Sequence, residues 1–130
     1  MKILIVDDSK AMRMIVMRQL RQAGYEDAEF SEAANGYEGL DQVDAHDPDL
    51  ILCDWNMPEM DGYTFLVELR GKGCKTPFGF VTSESTPDMM ATARNGGANF
   101  LISKPFSSFA SSTPPTGTIE SAAPAPLASL

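Results

Sequence analysis

Apolar and polar positions alternate in blocks along this chain, and each block has the period of one kind of element. Lys2–Val6 is a short, β-branched apolar run that stops at Asp7-Asp8, which predicts a strand. From Lys10 to about Gln22 the spacing is helical. Met12, Ile15, Val16, Gln19 and Leu20 share one face, and Gly24 stops the helix. Asp27–Ala33 is a weaker strand leading to Asn35-Gly36, with a second helix over about Tyr37–Ala45. Leu50-Ile51-Leu52-Cys53 is a continuous apolar run ended by Asp54, as expected of a strand buried on both faces. After Met57-Pro58 and a turn at Asp61-Gly62, Tyr63–Arg70 carries Phe65, Leu66 and Leu69 at helical spacing. Pro77–Val81 is a fourth strand ending at Thr82. Thr86-Pro87 then reads as an N-cap with proline in the first helical position, and Gly96-Gly97 closes that helix. Asn99–Ser103 is a fifth strand ending at Lys104-Pro105.

Five strands separated by helices imply an α/β domain with a parallel sheet and right-handed crossovers. Parallel strands place all their C-terminal ends on one edge, where open α/β sheets bind ligands. Asp7-Asp8, Asp54, Thr82 and Lys104 are therefore expected to converge. Residues 107–130 break the pattern: they are mostly Ser, Thr, Ala and Pro with a single charge, Glu120, and read as a disordered tail or linker. Residues 1–106 form the predicted domain.

Composition sharpens this picture. The 130 residues suit one domain, and 43% hydrophobic with 22% charged residues is a globular balance. Ten Lys+Arg against eighteen Asp+Glu give −8, of which −7 falls on residues 1–106. An acidic chain disfavours nucleic acid and anionic membrane surfaces as partners. Cys53 and Cys74 are too few for a disulfide scaffold and fit no zinc spacing; Cys53 reads as a core residue. His46, the single histidine, excludes a multi-histidine metal site and reads as a solvent-exposed residue. Neither a signal peptide nor a run of roughly 20 apolar residues is present, so the expected location is the cytoplasm.

Three converging carboxylates repel one another and call for a cation. Asp7, Asp8 and Asp54 suggest a hard divalent ion, with Mg²⁺ favoured because it keeps waters for a phosphate ligand. The plainer reading, acidic residues that merely end strands, suits an isolated Asp-Asp pair better than this whole set. Asp54 is the candidate nucleophile, since a carboxylate can attack phosphorus to form an acyl phosphate. Lys104 and the Thr82 hydroxyl would stabilise charge on the transferred phosphoryl oxygens.

The sequences Val6-Asp7-Asp8-Ser9, Asp54-Trp55-Asn56-Met57-Pro58 with Met60-Asp61-Gly62, Val81-Thr82-Ser83-Glu84 and Lys104-Pro105-Phe106 together resemble the receiver domains of response regulators. They cover residues 1–106, and Trp-Asn-Met-Pro leans toward the single-domain chemotaxis branch. The resemblance implies a doubly wound, flavodoxin-like five-stranded sheet of order 2-1-3-4-5. It implies Asp54 as phosphoacceptor, with Mg²⁺ held by the Asp8 and Asp54 side chains, by Asp7 through a water and by the Asn56 backbone carbonyl. Thr82 and Lys104 would contact the phosphoryl group. The donor would be a phosphohistidine on a sensor histidine kinase or phosphotransfer protein. The output would be altered binding to a downstream protein, for the chemotaxis branch a flagellar motor switch. The chain would be no enzyme toward outside substrates, only a catalyst of its own phosphoryl transfer and slow self-dephosphorylation. Trp55, beside Asp54, would report metal or phosphate binding by its fluorescence.

Two departures stand out. The family's switch aromatic, three residues before the lysine, is here Leu101, and Phe100 beside it points to the opposite face of a strand. The family's last helix is missing or replaced, because only Phe106-Ser-Ser-Phe109 precedes the low-complexity tail. An exposed apolar patch beside the first helix, with lower stability or self-association, is expected from this. Met14 and Met17, about 140–200° from Met12 at ~100° per residue, are expected off the core face as a partner surface. Three alternatives differ in function. The chain could be the receiver of a longer regulator whose effector follows the tail. An aspartyl-phosphate phosphatase of the haloacid-dehalogenase type wants a second aspartate where Asn56 stands. A flavodoxin wants a Ser/Thr-rich loop where Asp7-Asp8 would repel a flavin phosphate.

Overall fold

A computed structural model describes residues 1–83 and 86–103. The apolar runs form five strands: β1 (Lys2–Val6), β2 (Glu29–Ala33), β3 (Leu50–Asp54), β4 (Phe78–Thr82) and β5 (Phe100–Ser103). Four helices alternate with them: α1 (Lys10–Leu20), α2 (Gly36–His46), α3 (Gly62–Gly71) and α4 (Pro87–Gly96). All pairings are parallel and the strand order is β2-β1-β3-β4-β5, the doubly wound, flavodoxin-like arrangement. β3 and β4 are buried at every position, which is why the Leu50–Cys53 run shows no alternation. No described helix is long and apolar enough to cross a membrane.

The sheet separates two cores. Leu4, Val6, Ile51, Cys53, Phe78, Phe80 and Leu101 face α2, α3 and α4, packing on Phe65, Leu66, Leu69 and Ala93. Ile3, Ile5, Leu50, Leu52, Val81, Phe100 and Ile102 form the opposite face, with Val16, Met17 and Leu20 of α1. Strand alternation thus sends Phe100 and Leu101 to different cores, and both are fully buried. Among the described residues of α1, Met14 and Ile15 are the exposed large apolar side chains.

Side-chain caps start all four helices. Ser9, Asn35, Asp61 and Thr86 each accept the backbone N–H three residues on. At its far end α1 differs from the predicted Lys10–Gln22 span: it stops at Leu20 and widens into one π-helical turn, Arg21–Tyr25, where Gly24 leaves helical geometry at φ 112°. The face of α1 also differs from expectation. Met17 is buried in the core and is no partner surface, whereas Ile15 is 38% exposed. The buried face centres between Val16 and Leu20. At ~100° per residue Met17 lies about 60° from Leu20 and Ile15 about 140° from it.

Candidate functional site

The register of the sheet brings the strand ends together. Val6 pairs with Cys53, so Asp7 and Asp54 leave β1 and β3 side by side. Asp54 pairs with Val81, which puts Thr82 one residue further along β4, and Thr82 pairs with Ser103. Carboxylate oxygens of Asp7, Asp8 and Asp54 lie within 4.8 Å of one another. Asp7 is 3% and Asp54 9% exposed, whereas Asp8 is open to solvent. Thr82 is fully buried. Asn56 is exposed two residues beyond β3. Lys104 lies outside the described residues, as do Glu84, Pro105, Phe106 and the tail.

Local chemistry explains why Asp7 and Asp8 stay at this edge. Only Asp7 and Asp8 separate the end of β1 from the cap residue Ser9. The Asp7 N–H donates to the Ala33 carbonyl at 3.0 Å, and its Oδ1 accepts the Ser9 N–H at 2.9 Å. Ser9 Oγ in turn accepts the Met12 N–H at 3.2 Å. Strand end, Asp7 and helix cap form one hydrogen-bonded unit, with Asp8 between them.

The β3–α3 connection holds Asp54 from the other side. It is a tight loop in which Met60 N–H donates to the Pro58 carbonyl at 2.7 Å and Gly62 N–H to the Trp55 carbonyl at 2.8 Å, with Glu59 at φ 68°. The Trp55 ring packs 4.5 Å from Phe80 and stacks 5.9 Å from Tyr63, between centroids. Asp61-Gly62 is no simple turn: Asp61 caps α3 through its Oδ1, 2.7 Å from the Thr64 nitrogen. Gly62 lies so close to β3 that a Cβ there would collide with the Asp54 carbonyl oxygen. An Asp cap is readable from sequence. The need for glycine at position 62 is not, because it depends on a backbone eight residues away that only the tertiary fold brings near.

Three carboxylates this close carry an electrostatic cost of about 3 kcal/mol per ionised pair at ~5 Å and an effective dielectric of ~20. An all-oxygen, anionic donor set of this kind suits a hard divalent cation rather than a soft one. The cluster fits a metal ion by this chemistry. Arg13, nearby on α1, directs its guanidinium to the Asp7 backbone carbonyl and to Glu32.

The fold and site define a class first: a doubly wound α/β domain with a cation-suited acidic cluster at the C-terminal edge of its sheet. Comparison with known proteins carries this further. The model of the response regulator receiver domain matches residues 3–110. Chemotaxis protein CheY1 of Helicobacter pylori is 38% identical over 109 residues, spanning 82% of this chain and 86% of that protein. The chemotaxis protein CheY homolog of Campylobacter jejuni is also 38% identical over 109 residues, 82% of each chain. A solved structure of Vibrio cholerae chemotaxis protein CheY4 superposes with a TM-score of 0.73 at 36% identity, covering 81% of this chain and 87% of that one. The chain belongs to the response-regulator receiver domain family and is similar to its CheY-like chemotaxis members.

Proposed function

We propose that this receiver domain is a phosphorylation-activated switch of a chemotaxis-type two-component system, with Asp54 as the phosphoacceptor. The observation that carries the reading is the meeting of Asp7, Asp8 and Asp54 within 4.8 Å at the end of a wholly buried strand. Asp7, Asp8 and Asp54, with the Asn56 backbone carbonyl, would hold Mg²⁺, which supplies positive charge against the phosphoryl oxygens. An Asp54 carboxylate oxygen attacks the phosphorus of a phosphohistidine on a sensor kinase or phosphotransfer protein. The P–N bond breaks, its electron pair stays on the imidazole nitrogen, and that nitrogen takes up a proton. The Thr82 hydroxyl donates to a phosphoryl oxygen and the Lys104 ammonium pairs with another. Thr82 and Leu101 are both fully buried and lie on neighbouring strands. A new hydrogen bond to Thr82 therefore has to be answered by repacking around it, which is how the modification changes binding to a downstream protein such as a flagellar motor switch. The chain works in the cytoplasm and turns over no outside substrate beyond its own phosphorylation and slow self-dephosphorylation.

Incubation with acetyl phosphate, with and without MgCl₂, followed by intact mass measurement tests the reading. The wild type gains one phosphoryl mass with Mg²⁺ and none without it, and Asp54→Asn gains none. An equal gain in Asp54→Asn, or none in the wild type with Mg²⁺, would overturn it.

A further inference from the structure

We propose that Arg13 is a positioning residue for the divalent-cation site, an inference that rests on the reading of the acidic cluster given above. Arg13 follows the cap residue Ser9 by one helical turn, its N–H donating to the Ser9 carbonyl at 3.0 Å. Side chains on a helix lean toward its N-terminus, so the guanidinium reaches back over the β1–α1 loop. Its Nη1 donates to the Asp7 backbone carbonyl at 2.6 Å, and its Nε to Glu32 Oε1 at 2.9 Å. Glu32 lies on β2, in register with Ile5 of β1. One guanidinium therefore ties α1, the acidic loop and β2 together. Its side chain is only 14% exposed, against 42% for Glu32.

This contact adds a third hold on Asp7. Asp7 is held at its N–H by Ala33, at its carboxylate by Ser9 and at its carbonyl by Arg13. The carbonyl belongs to the planar peptide from which Asp8 hangs. Asp8 is exposed, so packing does not fix it, and the grip on that peptide plane sets where its carboxylate begins.

Charge and position make opposite predictions for Arg13. As a bare positive charge beside a cation site it weakens metal binding, so its removal would tighten the site. As the brace of the Asp7–Asp8 peptide it strengthens binding, so its removal weakens the site. Partners that orient metal ligands from behind are worth roughly 10–100-fold in affinity.

Mg²⁺ titrations of the full chain, followed by Trp55 fluorescence and by the Mg²⁺-induced rise in melting temperature, separate the two. Arg13→Ala is expected to weaken Mg²⁺ binding about tenfold. Arg13→Lys keeps the charge without the two-armed grip and weakens it too, and Glu32→Gln does so to a smaller extent. These two conservative variants carry the test if Arg13→Ala melts too early to titrate. Variants that bind Mg²⁺ as tightly as wild type, or more tightly, would overturn the inference even if their metal-free melting temperature falls, since that pattern is a purely structural role. A normal wild-type response with undiminished variants sinks this inference alone. A wild type with no Mg²⁺ response in either readout sinks the cation site and this inference together.

Discussion

The two edges of the sheet handle polarity in opposite ways. At the N-terminal edge opposite partners meet inside the chain. The Lys2 N–H donates to Asp49 Oδ2 at 2.9 Å. Arg70, at the end of α3, donates to the Gly97 carbonyl at 3.1 and 2.9 Å, to the Cys74 carbonyl at 2.9 Å and to Asn99 Oδ1 at 3.3 Å. Asn99 Oδ1 also accepts the Phe78 N–H at 2.8 Å, so one guanidinium and one amide join α3, α4 and the start of β4. Burial lowers the Arg70 pKa from its usual value, with the Coulombic effect of Cys74 opposing that shift. At the C-terminal edge three groups of the same charge are brought together by the strand register and the Ser9 cap. The first arrangement lowers the energy of the fold by itself. The second sets like charges side by side, which raises the energy of the fold unless other groups or a bound cation offset it. An edge that gathers like charges on rigid strand ends suits a cation, and an edge that matches donors to acceptors adds stability.

That contrast can be broken at either edge. The largest effect is expected at Gly62, where any side chain must displace the Asp54 backbone. Gly62→Ala should cost about 3 kcal/mol in a urea melt and also impair phosphorylation. A variant as stable as wild type would mean that the β3–α3 junction tolerates more separation than the structure shows. Next comes Arg70→Ala, expected to cost about 2 kcal/mol by removing charged donors from three partly buried acceptors. Its Mg²⁺ affinity should stay within about twofold of wild type, because sites this far apart and without shared partners are nearly independent. A large loss of Mg²⁺ binding there would show the two edges to be coupled. Smallest, and opposite in sign, is Asp8→Asn. Relief of repulsion should raise the melting temperature in metal-free buffer and shrink the rise that Mg²⁺ produces. A lower metal-free melting temperature would contradict the electrostatic account.

Most of this layout was legible from residue patterns because it rests on local signals. An unbroken apolar run marked β3, the Thr86-Pro87 cap marked the start of α4, and parallel strands brought Asp7, Asp8, Asp54 and Thr82 to one edge. What was not legible depends on tertiary neighbours. Met17 reads as surface by its angle from Met12, yet the centre of the buried face is set by where α1 meets Ile3, Ile5 and Phe100. Gly62 reads as a turn glycine because nothing local reveals the Asp54 carbonyl against it. Arg13 and Glu32 are nineteen residues apart and carry no pattern of their own. Their meeting follows only from β2 lying beside β1.

Chemical trapping of the modified residue tests the central claim most directly. Borohydride reduces an acyl phosphate to an alcohol, so a phosphorylated aspartate becomes homoserine, which peptide mapping by mass spectrometry locates. After acetyl phosphate and Mg²⁺, homoserine is predicted at position 54 and at no other aspartate, with none when Mg²⁺ is chelated. Homoserine at position 7 or 8 instead, or at position 54 regardless of Mg²⁺, would contradict the account.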